Sequence, residues 1–88
     1  MVDRDELEDL LAELKPYGTT LEQASALLHR LGWRCKDPDK AHPVWKKGAF
    51  PLTLARPKKR YFFPKYVSLI KREVRAEFES RGEDDSEN

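Results

Sequence analysis

Leucines set the first pattern in this chain. Leu7, Leu10, Leu11 and Leu14 recur at i, i+3, i+4 and i+7, one face of a helical wheel, and predict a helix over residues 4–15. Asp3 can cap it, and acids crowd its first turns, where the helix dipole favours them. Pro16-Tyr17-Gly18 marks the break. A second stripe, Leu21, Ala24, Leu27, Leu28 and Leu31, predicts a second helix ending at Gly32. Thr20 with Gln23 has capping-box spacing, and Thr19 with Glu22 offers the alternative register.

After Gly32 the period falls from helical to twofold. Trp33, Arg34, Cys35 and Lys36 alternate apolar and basic, the signature of a half-buried strand. Pro38 and Asp39 supply a turn. A second strand over roughly 41–47 puts His42, Val44 and Lys46 on one face and Pro43, Trp45 and Lys47 on the other. Gly48 suits a hairpin, and Phe50, Leu52 and Leu54 share one face of a third strand. Pro51 assigns that strand to a sheet edge. A basic loop, RPKKRYFFPKY, leads to Pro64, which fits the first turn of a helix. Val67, Ile70, Val74 and Phe78 form its apolar stripe, Gly82 is its expected end, and residues 83–88 read as a disordered acidic tail.

The expected fold class is α+β. Three strands joined by short turns make an antiparallel meander, and the helices cover one of its faces. An 88-residue chain has room for one domain, here residues 1–82, and the other sheet face is left open to a ligand. With 39% hydrophobic and 38% charged residues, the core must be small and shared by every element. Both tryptophans are expected in that core, and Cys35 is expected to pack as a small apolar residue.

Charge changes the picture more than composition does. Residues 1–28 hold two basic and seven acidic side chains, net −5. Residues 29–72 hold thirteen basic and two acidic, net +11. Residues 73–88 hold two basic and seven acidic, again −5. A basic middle between acidic ends is the footprint of a polyanion site. Lys36, Lys40, Lys46, Lys47, Arg56, Lys58, Lys59 and Arg60 are the candidate phosphate contacts, with Trp33, Trp45, Tyr61 and Phe62 as stacking candidates.

The chemistry left open is narrow. No Gly-rich phosphate loop is present, and Cys35, His29 and His42 lack the paired spacing of a zinc site, so no metal or cofactor is expected. No apolar run approaches the ~20 residues that span a bilayer. The acidic start lacks the features of a signal peptide, which points to the cytoplasm. RNA carries its own nucleophile in the 2′-hydroxyl, so one imidazole near neutral pKa can move the required proton without a metal. His42, among lysines, is the candidate catalytic residue. His29, on the flank of the second helix, is expected to be structural.

The stretch LLHRLGWRCKDPDKAHPVWKKGAFPLTLAR, followed by a basic loop and YVSLIKREV, resembles the HicA-type toxins of bacterial toxin–antitoxin systems. The likeness covers about residues 20–75. Leu31-Gly32-Trp33 stands for the helix end of that family, Ala41-His42 for the end of its Gly-Ser-His motif, Val44-Trp45-Lys46-Lys47 for its second strand and Pro51-Leu52-Thr53-Leu54 for its third. The resemblance implies an α-β-β-β-α, double-stranded-RNA-binding-like fold with an extra N-terminal helix. It also implies cleavage of messenger RNA by His42 and a HicB-type antitoxin that covers the site. Lys40-Ala41 departs from the family's Gly-Ser. Two other readings stay open: an RNA-binding module without chemistry, and a protein-interaction domain in which helix 4–15 docks a partner or a second copy of the chain.

Overall fold

The computed structural model describes residues 2–37 and 41–86, with side chains to residue 80. Its elements run α1 (Arg4–Ala12), α2 (Leu21–Arg30), β1 (Arg34–Cys35), β2 (Val44–Lys47), β3 (Phe50–Thr53) and α3 (Pro64–Ser86). The class is α+β, and the element order is compatible with a double-stranded-RNA-binding-like arrangement preceded by one extra helix.

Local chemistry sets the helix ends. Asp3 accepts a hydrogen bond from the Glu6 N–H at 2.8 Å and starts α1. Thr20 and Gln23 form the full capping box of α2, at 3.1 and 3.0 Å, so this register prevails over Thr19 with Glu22. Thr19 is instead buried, and its hydroxyl donates to the Lys15 carbonyl at 2.6 Å.

The end of α2 is a Schellman motif. Gly32 takes a left-handed φ of +91°. Its N–H donates to the His29 carbonyl at 3.0 Å, and the Trp33 N–H donates to the Leu28 carbonyl at 2.9 Å. This turn converts helix directly into strand, because Trp33 is both the residue that closes the motif and the one that leads into β1.

The sheet has the order β1-β2-β3, antiparallel throughout. Arg34 pairs with Lys46 and Cys35 with Trp45; on the other side, Trp45 pairs with Leu52 and Lys46 with Pro51. Partners across a ladder share a face. One face therefore carries Cys35, Trp45 and Leu52, and the other carries Arg34, Lys46 and Pro51. Gly48, with φ +58° at the first central position of a two-residue loop, gives the β2–β3 hairpin the backbone of a type II′ turn. β3 is an edge strand, as Pro51 requires. The Leu54 N–H donates to the Pro43 carbonyl, so ladder bonds fall on even positions of β3 and the Pro51 nitrogen faces the open edge.

A single core joins all the elements. Leu7, Leu10, Leu11 and Leu14 from the N-terminal segment meet Ala24, Leu27, Leu28 and Leu31 from α2. Val67, Ile70 and Val74 of α3, Trp45 and Leu52 of the sheet, and Trp33, Leu54 and Phe62 beside the strands complete it. The stripe of α1 is thus buried inside its own domain. Arg75 of α3 grips Glu8 of α1 with both fork nitrogens, at 3.0 and 2.7 Å.

Two element ends differ from the sequence pattern. α1 stops at Ala12, although Leu14 beyond it stays buried, because a turn can also deliver a side chain to the core. α3 passes through Gly82 to Ser86. A glycine ends a helix when it turns left-handed, and in helical conformation it costs only about 1 kcal/mol relative to alanine. Positions 83–86 of the expected disordered tail are therefore helical, and 87–88 lie outside the described residues.

Candidate nucleic-acid interface

Alternation along β2 builds the site. Trp45 points into the core, so Val44 and Lys46 point out. The ladder continues past β2, since the Leu54 and Arg56 N–H groups donate to the Pro43 and Ala41 carbonyls at 3.1 and 2.9 Å. Pro43 is buried and His42 exposed, which keeps the alternation intact. His42 thus shares the outer face with Val44 and Lys46.

β1 supplies the remaining charge. The Lys36 N–H donates to the Val44 carbonyl at 3.3 Å, so Lys36 lies opposite Val44. That is the diagonal neighbour of His42, with the two backbones about 7–8 Å apart. Lys46 is four residues along the strand, roughly 13 Å away at ~3.3 Å per residue. Lys36 is therefore the cation nearer the imidazole on this face, and Lys46 the more distant one. Arg34, cross-strand from Lys46 and exposed, adds a third charge to this face. The twofold alternation of Arg34 with Lys36 already marks it in the sequence, although it is absent from the candidate contacts.

Lys47 is a correction. It lies on the inner face with Trp45, where its Nζ donates to the Leu31 carbonyl at 2.5 Å and pairs with the Glu77 carboxylate at 3.3 Å. Its charge closes the C-terminal end of α2 and neutralises a buried acid. It is not available to a phosphate.

Lys58, Lys59 and Arg60 are exposed on the loop after β3, which leaves the sheet at Arg56 beside Ala41. This loop returns to the start of α2, where Tyr61 bridges Thr20. The basic surface accordingly has two parts, the outer sheet face and the loop, with the exposed Arg56 at the base of the loop. Lys40 lies outside the described residues.

The stacking candidates divide as well. Trp33, Trp45 and Phe62 are core residues, while Tyr61 stays exposed. Phe63, which the sequence pattern does not single out, is 63% exposed. His29 sits edge-on to Trp45 with ring centroids 4.9 Å apart, a packing role. Burial pushes the Cys35 thiol pKa upward, which disfavours the reactive thiolate.

Among the described residues no group of three or more His, Cys, Asp or Glu side chains could hold a metal ion, and no helix is long and apolar enough to cross a membrane. The chain matches no protein-family model, no curated protein and no solved structure.

Proposed function

We propose that this chain binds RNA on the outer face of its sheet and cleaves it without a metal through His42. The observation that carries this reading is the alternation of β2 with its register to β1, which turns His42, Lys36 and Lys46 to the sheet face opposite the core. In the proposed step, His42 takes the proton from a 2′-hydroxyl. The freed oxygen attacks the adjacent phosphorus, and the bond to the 5′-oxygen breaks. Water supplies the proton that the leaving oxygen needs, and the products are a 2′,3′-cyclic phosphate and a 5′-hydroxyl. Lys36 stabilises the charge that develops on the phosphoryl oxygens. The resemblance to HicA-type toxins supports messenger RNA as the substrate, the cytoplasm as the compartment and a HicB-type antitoxin as the protein that covers this face.

Cleavage of an unstructured RNA in EDTA tests it. Wild type should leave cyclic phosphate ends, and His42→Ala should be at least ~100-fold slower, the usual weight of a positioned acid or base. Equal rates would remove His42 from the chemistry. A second reading, RNA binding without cleavage, is favoured by Ala41, which offers no hydroxyl beside His42. It would be established by intact RNA together with binding that weakens steeply with salt.

A further inference from the structure

The loop after β3 carries an exposed aromatic pair that the sheet face does not explain. Tyr61 and Phe63 are 45% and 63% exposed, whereas Phe62 between them is 3% exposed. Two neighbouring rings facing solvent on one segment mark a candidate contact surface.

The segment is held rigidly. The Phe62 N–H donates to the Thr19 carbonyl at 2.9 Å, and Tyr61 bridges Thr20. The Phe62 ring is anchored in the core, tilted against Tyr66 at 6.4 Å between centroids. On the far side, the Phe63 carbonyl accepts from the Tyr66 N–H at 2.9 Å, which fixes it at the start of α3. The backbone that carries the two exposed rings is therefore preorganised, and ordering it on binding costs little.

Their surroundings select the occupant. Lys58, Lys59, Arg60 and Lys65 flank the pair, all exposed, and the Arg60 guanidinium lies 5.6 Å from the Tyr61 ring centroid. A groove of about 580 Å³ runs alongside, lined by Pro57, Lys59, Arg60 and the first residues of α2, with the carboxylate of Glu22 among them. Rings interleaved with cations are the equipment of single-strand binders, which stack unpaired bases and track the phosphates with charge. The spacing agrees. Residues 61 and 63 lie ~6.6 Å apart along an extended chain at ~3.3 Å per residue, about twice the ~3.4 Å rise of stacked nucleotides. Duplex RNA keeps its bases inside and cannot use such rings.

We propose that Tyr61 and Phe63 are a base-stacking platform that selects single-stranded RNA, with the basic loop holding its backbone. The proposal rests on the RNA reading above and adds the strandedness of the substrate and a second contact surface, away from His42.

Three probes measured on the full chain test it: a short 2′-O-methyl oligouridine, an abasic strand of the same length and backbone, and a duplex of that length. Methylation of the 2′-oxygen blocks cleavage, so binding is read alone. Wild type should bind the oligouridine at least ~10-fold more tightly than the abasic strand. Tyr61→Ser/Phe63→Ser should lose that preference while keeping its affinity for the abasic strand and the duplex. Both side chains are exposed, and an unchanged thermal melt of the variant would exclude misfolding. Should the melt fall, Tyr61→Gln alone gives the same readout. Equal affinity of wild type for the oligouridine and the abasic strand would overturn the platform and leave the RNA reading standing. No binding to any of the three probes would overturn both.

Discussion

Lys47 turns its charge away from the basic face of β2 and places it 3.3 Å from the Glu77 carboxylate, while its neighbour Lys46 faces solvent. Two lysines adjacent in sequence thus do opposite work, one in the fold and one on the surface. Lys47→Met keeps the aliphatic stem but leaves a buried acid without this partner. Denaturant unfolding should show a loss of about 1–3 kcal/mol, less than for a fully buried pair because the Lys47 side chain retains some exposure. RNA affinity of the folded fraction should stay at the wild-type value, whereas Lys46→Met should weaken it. Equal losses of affinity in the two variants, with equal stabilities, would return Lys47 to the binding surface.

Gly32 supports the same arrangement from beneath. Its φ of +91° suits glycine, and a Cβ built there would stand 3.4 Å from Cε of Lys47. Gly32→Ala should cost about 1–2 kcal/mol from the left-handed backbone. The added methyl would meet the lysine arm at ordinary van der Waals distance and leave it in place. Combined with Lys47→Met, the two losses should therefore add, one acting through the backbone and the other through the ion pair. A double-mutant cycle in denaturant measures this, and a coupling above ~0.5 kcal/mol would show that the methyl displaces the lysine arm.

Much of this fold is legible in the sequence, and the legible parts are those fixed by local chemistry. Thr20 with Gln23, Pro64 and the stripe Val67-Ile70-Val74 state their roles within a few residues. The parity of β2 is readable too. It sets Lys47 on the face of Trp45, and that signal outranks its membership in a basic run. What stays hidden depends on distant partners. Nothing near Phe62 shows that it, and not Phe63, is buried. The deciding bond reaches back to Thr19, more than forty positions earlier. For the candidate site, alternation places His42 and Lys46, but the closeness of Lys36 needs the register between β1 and β2, which no short-range pattern states.

The grip of Arg75 on Glu8 gives the fold a modest dependence on acid. The Arg75 hydrogen bond, with its charge, holds the Glu8 carboxyl below its ordinary value of 4.5. A carboxyl lowered on folding contributes stability above its unfolded value and loses it as pH falls through the folded one. Both side chains are about two-fifths exposed, so solvent screens the pair and its contribution should stay under ~1 kcal/mol. Glu8→Gln should be slightly less stable than wild type at pH 7 in low salt. The gap should close below pH 4.5 and shrink in high salt at neutral pH. A gap that persists in acid would assign the effect to packing of α1 against α3.

Phosphate contacts on the outer face should reveal themselves through salt. Each phosphate that a lysine neutralises on a single strand contributes ~0.7 to the slope of log affinity against log salt. Lys36→Ala and Lys46→Ala should each flatten the slope by about that amount, and the double variant by about twice it, because each lysine neutralises its own phosphate. Their effects on cleavage should differ. Lys36, diagonal to His42, should lower the rate at saturating RNA, and Lys46 should act on affinity alone. His42→Ala should leave the salt slope of binding unchanged, because His42 serves the proton transfer and the lysines hold the phosphates. Binding titrations at several salt concentrations, paired with single-turnover cleavage, separate these roles. A saturating rate that falls for Lys46→Ala and holds for Lys36→Ala would exchange the parts assigned to the two lysines.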